Sequence, residues 1–281
     1  MSASKKPRVS VLMAVYNEEE HIKESIESIL QQTFTDFEFL IINDASTDKS
    51  RQLIAEYSDS RIRILDNETN LGLPASLNRG LREARGQYIA RQDADDISVK
   101  NRLNLQVDAL DNLSTISLLG TYYVPFDDTG KEYPVMAAPT DPIVMKWQML
   151  FHNKFGHSTV MFRKDTVEEL GGYNEKFRLN QDYELWSRFI DKTAVKVLPK
   201  VCVCRRIGNE QPPEITFKLD GPISPACEIS VNNLQWLTNH ALSEEQCIFL
   251  HGLLGAYQLP QESSLIKKNL PCLNLVMDEF C

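Results

Sequence analysis

The sequence of 281 residues has no excess of basic charge: 30 Lys and Arg stand against 39 Asp and Glu, a net charge of −9. A general nucleic-acid binder shows a basic excess or stripe, and attachment to anionic lipid by charge alone needs one, so neither is expected. No apolar run is long enough to span a bilayer; the most apolar late stretch, 247–259, is short and interrupted. The first eight residues are basic but run straight into a strand pattern, without the separate apolar segment that export requires. A cytoplasmic location is therefore expected. None of the six cysteines lies in CxxC spacing, so they read as reduced thiols serving as small buried hydrophobes. Two phosphate-binding devices are missing as well. There is no G-x-x-x-x-G-K-[ST], and Val15-Tyr16-Asn17-Glu18 stands where a G-x-G-x-x-G would follow the first strand. A P-loop kinase and a Rossmann dehydrogenase are set aside on that ground.

What is present is a globular composition, 42% hydrophobic and 25% charged, in a length that suits one large domain or one with an appendage. The first third alternates strand and helix. Strands are predicted at 9–15, 37–42, 61–65 and 88–91, where apolar runs rich in β-branched residues fit strands covered on both faces. Between them, Ile22, Ile26, Ile29 and Leu30 fall at helical spacing behind Asn17 as a helix cap, Leu53, Ile54 and Tyr57 mark a second helix, and 73–84 a third. Repeated βα units of this length imply a parallel sheet with right-handed crossovers, hence an α/β fold. Further on, helices are predicted at 100–110, 165–170 and 180–191, and strands at 117–124, 157–163 and 195–204. Gln211-Pro212-Pro213 suggests a boundary, and 228–258 reads as largely helical.

Ligands of open parallel sheets bind at the carboxyl ends of strands. Strand two ends in Asn43-Asp44-Ala45-Ser46, and strand four in Arg91-Gln92-Asp93-Ala94-Asp95-Asp96. Three carboxylates within four residues repel one another unless a cation lies between them, and hard oxygen donors suit Mg²⁺ or Mn²⁺. A solvated acidic turn or a helix cap is the plain alternative. A calcium loop counted from Asp93 fails in register, because Ile97, Ser98 and Asn104 fall where an oxygen donor, a glycine and a glutamate are needed.

Val9-Ser10-Val11-Leu12-Met13-Ala14-Val15-Tyr16-Asn17, Gln31-Gln32-Thr33-Phe34, Asn43-Asp44-Ala45-Ser46-Thr47-Asp48, Asn70-Leu71-Gly72 and Asp93-Ala94-Asp95-Asp96 stand in one register. Together they resemble the family 2 glycosyltransferases of bacterial surface-polysaccharide type, over roughly residues 8–205. The resemblance implies a GT-A fold: a mostly parallel, Rossmann-like sheet flanked by helices over 1–210, with a nucleotide-sugar half at 8–110, an acceptor half at 111–210 and a helical C-terminal extension at 211–281. It implies that Tyr16, with Ala14 beside it, stacks on the nucleotide base, most readily uracil, and that Asp44 accepts from the base imide. Asp93 would lie near the ribose and the metal, and Asp95 would bind Mn²⁺ or Mg²⁺. Arg79 and Arg91 are candidates for the diphosphate, though each has acids nearby to pair with. Downstream, Leu179-Asn180-Gln181-Asp182-Tyr183-Glu184-Leu185-Trp186 resembles the family's ED-x-x-L-W segment. Asp182 then takes the place of the catalytic base in an inverting transfer from a UDP-sugar to a glycan or lipid-linked acceptor. A helix cap is its plain alternative. His157, in Gly156-His157-Ser158-Thr159-Val160-Met161-Phe162, is a candidate for acceptor contact or a strand-start histidine.

Two departures accompany the match. Gln181 stands where the family commonly has Glu, and Arg206-Ile207-Gly208 lacks the family's late histidine. A catalytically impaired member that binds a nucleotide sugar or a partner is the second reading they motivate. The C-terminal stretch from Gln211 onward is a separate matter, with eight acids, three lysines and no arginine. Its apolar residues within 228–258 suit a helical pair packed over the acceptor side, peripheral contact at the inner face of the membrane, or homodimerisation.

Overall fold

The computed structural model describes residues 6–208, 224–254 and 263–280, with side chains described from 271 onward in the last segment. The chain divides into two compact units. The first is formed by the described residues up to 142 together with 155–208, and the second by 143–154 with the described residues from 224 onward.

The first unit is built on an eight-stranded sheet in the order β3-β2-β1-β4-β7-β6-β8-β5. Strands β1 (Val9–Val15), β2 (Phe37–Asn43), β3 (Ile62–Asp66) and β4 (Tyr88–Arg91) run parallel. The helices between them are α1 (Ile22–Leu30), α2 (Ser50–Ala55) and α3 (Leu73–Glu83). Beyond β4 come β5 (Ile97–Ser98), α4 (Arg102–Asn112), β6 (Ile116–Phe126), a 3₁₀ turn (His157–Thr159), β7 (Met161–Arg163), α6 (Lys164–Glu169), α7 (Gln181–Lys192) and β8 (Ala194–Arg206), with α5 (Pro142–Met149) falling before the turn. β7 pairs antiparallel with both β4 and β6, while β6 and β8 are parallel. The mixed sheet is thus a Rossmann-like parallel half continued by an antiparallel turn-back.

The alternation of a strand explains the layers. Val9, Val11, Met13, Phe37, Phe39 and Ile41 face Ile22, Ile26 and Ile29 of α1 and Leu103, Val107 and Leu110 of α4, all fully or nearly buried. Each such side chain contributes about 1.5–3 kcal/mol on burial. The intervening residues face α3, which lies so close that a Cβ at Gly80 would stand 2.2 Å from Leu12 Cδ1. At the start of β4 the same closeness involves backbone: a Cβ at Gly86 would meet Ser10 N at 2.4 Å. Only glycine fits there, which is why the break after α3 falls where it does.

The second unit has its own core. Leu150 and Phe151, following α5, pack with Cys227, Val231 and Leu234 of α8 (Pro225–Leu237), Cys247 and Leu250 of α9 (Glu244–Leu254), and Cys272 and Val276 of α10 (Ser263–Phe280). Residues 143–154 therefore join the C-terminal helices, although the sequence places them in the acceptor half. The expected helical stretch 228–258 is two helices joined at 238–243, and its last four residues lie outside those described. The five described cysteines are unpaired thiols, as the composition suggests; Cys281 lies outside the described residues. Among the described residues no helix is long and apolar enough to cross a membrane.

Three local expectations change. Asn17 does not cap α1, which starts at Ile22 behind His21. Instead Asn17 adopts a left-handed backbone, φ 54°, and its Oδ1 accepts the Thr47 N–H at 2.8 Å, lacing the loop after β1 to the loop after β2. The segment 157–163 is not one strand, because the 3₁₀ turn occupies its first half and β7 only the second. Lastly, Asn180 occupies the N-cap position of α7, with no side-chain capping hydrogen bond, and Asp182 lies in the first turn.

Candidate active site

The carboxyl ends of β1, β2 and β4 carry most of the sequence-predicted residues. Asp44 N donates to Val15 O at 2.8 Å, so the ends of β1 and β2 stay joined beyond the ladder. The Asp44 carboxylate is buried and gathers a loop about itself. Its Oδ1 accepts from Asn67 Nδ2 at 2.6 Å and from Leu71 N at 2.9 Å, and its Oδ2 accepts from Gly72 N at 2.9 Å. Gly72 has φ 89°, a conformation that suits glycine and turns its N–H inward at the start of α3. A carboxylate accepts about four hydrogen bonds, so Asp44 retains capacity on Oδ2. Tyr16 is 47% exposed beside it, an aromatic ring left in solvent at a strand end. Ala14 is half-buried on β1, paired with Ile42. Ala45 takes φ 58°, a strained backbone for alanine, directly after Asp44. Arg79, on α3, donates to Asp66 O at 2.7 Å and to Asn67 Oδ1, and so braces the same loop.

At the end of β4, Arg91 is fully buried, contrary to the expectation that it reaches a diphosphate. Its guanidinium is committed internally. It donates to Leu12 O at 3.2 Å, to Gln92 O, to His157 Nε2 at 3.2 Å and to Asp93 Oδ1 at 2.5 Å. The strand face, not the solvent face, is where this alternation puts it. Asp93 also accepts from Ser158 Oγ at 3.0 Å, through Oδ2. Burial, the largest single influence, works against ionisation of Asp93, but Arg91 together with His157, the Ser158 hydrogen bond and Arg205 outweighs it and holds the carboxyl below the usual aspartate range. His157 is likewise buried, packed against the rings of Tyr173 and Trp186, and burial followed by Arg91 pushes its imidazole down to about 3. It is a neutral, internally bonded histidine.

The remaining acids of the loop have the opposite shift. Asp95 is raised by burial and by Asp93. Asp96, whose Oδ1 accepts from Arg206 N at 2.9 Å, is raised to about 7 by burial and then by Asp93 and Asp95. Glu18, from the loop after β1, is also raised to about 7, by burial, Asp95, Asp48 and Asp93 in that order. Glu18 is thus an acidic neighbour of the Asp93–Asp95 pair that the sequence reading missed, since nothing local distinguishes it from Glu19 and Glu20.

This donor set fits a hard divalent cation. Asp93 and Asp95 supply carboxylate oxygens in a place where negative charge is in excess. Among the described residues no three His, Cys, Asp or Glu side chains are grouped so as to hold a metal ion by themselves. The Asp93–Asp95 pair could contribute to holding Mg²⁺ or Mn²⁺, which take one or two carboxylates and complete their shell with substrate phosphate and water. The raised carboxyls set the sign of a pH effect. Groups with pKa near 7 keep protons at pH 6 that a bound cation displaces, so cation binding at about pH 6 is expected to release protons and to weaken as pH falls. Calorimetric titration of Mn²⁺ in buffers of differing ionisation enthalpy reads that release, which is expected to fade by about pH 8.5.

Two residues hidden in the sequence shape this loop. Gln92 donates through Nε2 to Asp93 O at 3.2 Å and to Asp96 O at 2.7 Å, folding the acidic stretch around one amide. Arg102, at the start of α4, is fully buried, and every one of its five N–H groups is accepted. The acceptors are Gln106 Oε1, Gln92 Oε1, Ser98 Oγ, Arg91 O and Val160 O, at 2.7–3.2 Å. Burial brings its pKa down to about 10. Arg206, at the end of β8, pairs with Glu24 at 2.7 Å and Asp128 at 2.9 Å, closing the loop from the other side.

Asp182 is half-buried in the first turn of α7, where the helix dipole favours a carboxylate. Tyr183 N donates to its Oδ1 at 2.8 Å. Tyr173 connects this helix to the β4 end. Its phenol is pushed up by burial, and among the charges that bear on it are both Asp182 and Asp93. Asp182 and Asp93, far apart in sequence, thus both lie within electrostatic reach of one tyrosine.

A Rossmann-like parallel half continued by an antiparallel return, with acids at the ends of β1, β2 and β4, is the GT-A architecture. The family described as Glycosyl transferase family 2 matches residues 10–171, and the chain belongs to it. An uncharacterised glycosyltransferase of Methanocaldococcus jannaschii, MJ1057, is 40% identical over 192 residues, covering 66% of this chain and 65% of its own length. WfgD of Escherichia coli, named as a UDP-Glc:α-D-GlcNAc-diphosphoundecaprenol β-1,3-glucosyltransferase, is 29% identical over 204 residues, covering 72% of this chain and 78% of its own length. Among solved structures, S. aureus TarS in complex with UDP-GlcNAc superposes with a TM-score of 0.67 at 18% identity, covering 98% of this chain and 82% of that one. At that identity the likeness is one of fold.

Proposed function

We propose that this glycosyltransferase moves a sugar from a UDP-sugar to a hydroxyl of a lipid-linked or glycan acceptor, with inversion and with help from Mn²⁺ or Mg²⁺. The observation that carries the reading is the grouping of Asp44, Asp93 and Asp95 at the carboxyl ends of β2 and β4, the two parallel strands that flank β1, with Asp182 and Asp93 both within electrostatic reach of Tyr173. WfgD, acting from UDP-Glc on a diphosphoundecaprenol-linked sugar, supports the donor and acceptor classes.

Tyr16 offers its exposed ring to the base, and Asp44 its remaining lone pairs to the base imide. Asp93, with one oxygen held by Arg91 and the other by Ser158, faces ribose and cation, and Asp95 is the second carboxylate. A bound cation would supply charge neutralisation for the departing diphosphate. Asp182 removes the acceptor hydroxyl proton as that oxygen forms a bond to the anomeric carbon and the bond to the diphosphate oxygen breaks. Arg79 and the half-buried loop after β3 border the nucleotide side. We read His157, whose Nε2 accepts from Arg91, as a support for Asp93 in place of an acceptor contact.

A nucleotide-release assay over a panel of UDP- and GDP-sugars, with Mn²⁺ or with EDTA, tests the reading. Release from a UDP-sugar that EDTA abolishes is the expected result. Absence of release or transfer with every donor, beside intact nucleotide binding, would favour the impaired, binding-only member that Gln181 and the missing histidine suggest.

A further inference from the structure

Arginine has no acceptor, which fixes the proton on His157 without appeal to any calculation. Arg91 Nε donates to His157 Nε2 at 3.2 Å, so that nitrogen bears a lone pair. Tyr173 Oη stands 2.9 Å from the same nitrogen and must therefore donate to it. The imidazole proton is left on Nδ1, which lies 3.9 Å from Asp93 Oδ1, the oxygen that Arg91 also binds at 2.5 Å. Arg91 thus binds one oxygen of Asp93 and Ser158 the other, while His157 acts on Asp93 through Arg91, its own Nδ1 lying too far for a hydrogen bond.

Tyr173 is itself held from three directions. Asn78, on α3, grips its backbone both ways, accepting from Tyr173 N at 2.8 Å and donating to Tyr173 O at 2.8 Å. Its ring packs edge-on against Trp186 of α7, centroids 6.4 Å apart, and against His157 at 5.7 Å. The hydroxyl is the polar group through which Tyr173 reaches His157, beside the ring contacts that Tyr173 and Trp186 make with it.

We propose that Tyr173 is a positioning residue for the donor: its hydroxyl, donated to His157, holds the His157–Arg91 pair in the geometry that aims Asp93 at the nucleotide sugar. The proposal rests on the donor-site reading given above. The chain runs from α3, whose lead-in residues Leu71 and Gly72 bind Asp44, through Tyr173 and His157 to Arg91 and Asp93, and links the base end of the donor site to its phosphate end.

Tyr173→Phe removes the hydroxyl and keeps the ring. In the full-length protein, the UDP dissociation constant with Mn²⁺ and the donor KM are each expected to rise about tenfold, the effect of one lost hydrogen bond, with acceptor KM within about twofold. His157→Gln, whose amide oxygen replaces Nε2 as acceptor, is expected to stay within about threefold of wild type, and His157→Ala to lose about tenfold or more. The proton position is read separately, without donor or turnover, from side-chain ¹⁵N shifts of histidine-labelled protein, with His157→Gln assigning the signal. An Nδ1-protonated neutral ring is expected. An Nε2-protonated ring overturns the chain of hydrogen bonds outright. A correct tautomer and normal wild-type UDP affinity, with Tyr173→Phe leaving the donor constants unchanged or raising acceptor KM equally, overturns the positioning role alone. No UDP affinity in the wild type overturns the donor-site reading and the proposal with it.

Discussion

Asp182→Asn is expected to slow turnover by about 10²–10⁴-fold, the usual contribution of a general base, while UDP affinity and donor KM change little. The isosteric amide keeps the first-turn place on α7, and Oδ1 still accepts from Tyr183 N, so the fold around it is preserved. What is lost is the ability to take a proton as the acceptor oxygen bonds to the anomeric carbon. An effect confined to kcat identifies an interaction made in the transition state. A variant with kcat within about threefold of wild type places the base elsewhere. Equal loss of donor affinity assigns Asp182 to binding.

Arg102→Met has the largest expected effect on stability. The side chain is fully buried and satisfies five acceptors on Gln92, Ser98, Gln106, Arg91 and Val160. A buried charge replaced together with its partners can be neutral, but here the partners remain. Two main-chain carbonyls and two side-chain amide oxygens lose a donor, at about 1–3 kcal/mol for each buried group left unsatisfied. Some re-pair, and a net loss of about 3–5 kcal/mol is expected, a fall in Tm of roughly 10 °C. Arg102→Lys, with three donors on a point charge, is expected to fall between. Because Gln92 shapes the turn bearing Asp93 and Asp95, residual activity at a permissive temperature is expected to fall too. A melting temperature within about 2 °C of wild type contradicts the picture of a supporting hub beneath the acidic loop.

The parallel half was legible because burial on both faces leaves long apolar runs, and β1, β2 and β4 lie within a residue of their expected bounds. The two-residue β5 and the C-terminal α10 were not. β5 exists only through its pairing with β8, and α10 carries an internal proline, Pro271, at odds with helix propensity. Asn17 shows a subtler miss. The residue type that caps helices also bridges loops, and only the position of Thr47 decides between them.

The site divides in the same way. Asp44, Asp93, Asp95 and Asp182 are candidates in sequence because each stands at a strand end or helix start and in the register of the family resemblance; by type alone each reads equally as a turn or cap residue. The residues that hold them are not. Arg91 reads as a diphosphate ligand until burial commits it to Asp93 and His157. Arg102 has no sequence signal of its burial, since its acceptors come from four separate stretches of chain. Tyr173 carries no signal beyond its place after Gly171-Gly172. Supporting groups are specified by long-range packing, and a single sequence does not display it.

The central claim is that Asp93 and Asp95 hold a cation against the diphosphate of a UDP-sugar. Calorimetric titration of UDP into the full-length protein tests it most directly, with Mn²⁺, with EDTA, and with Asp95→Ala in Mn²⁺. The account predicts binding with Mn²⁺ that is lost in EDTA and lost equally in the Asp95→Ala protein. UDP binding of undiminished affinity in EDTA, or in Asp95→Ala, would contradict it.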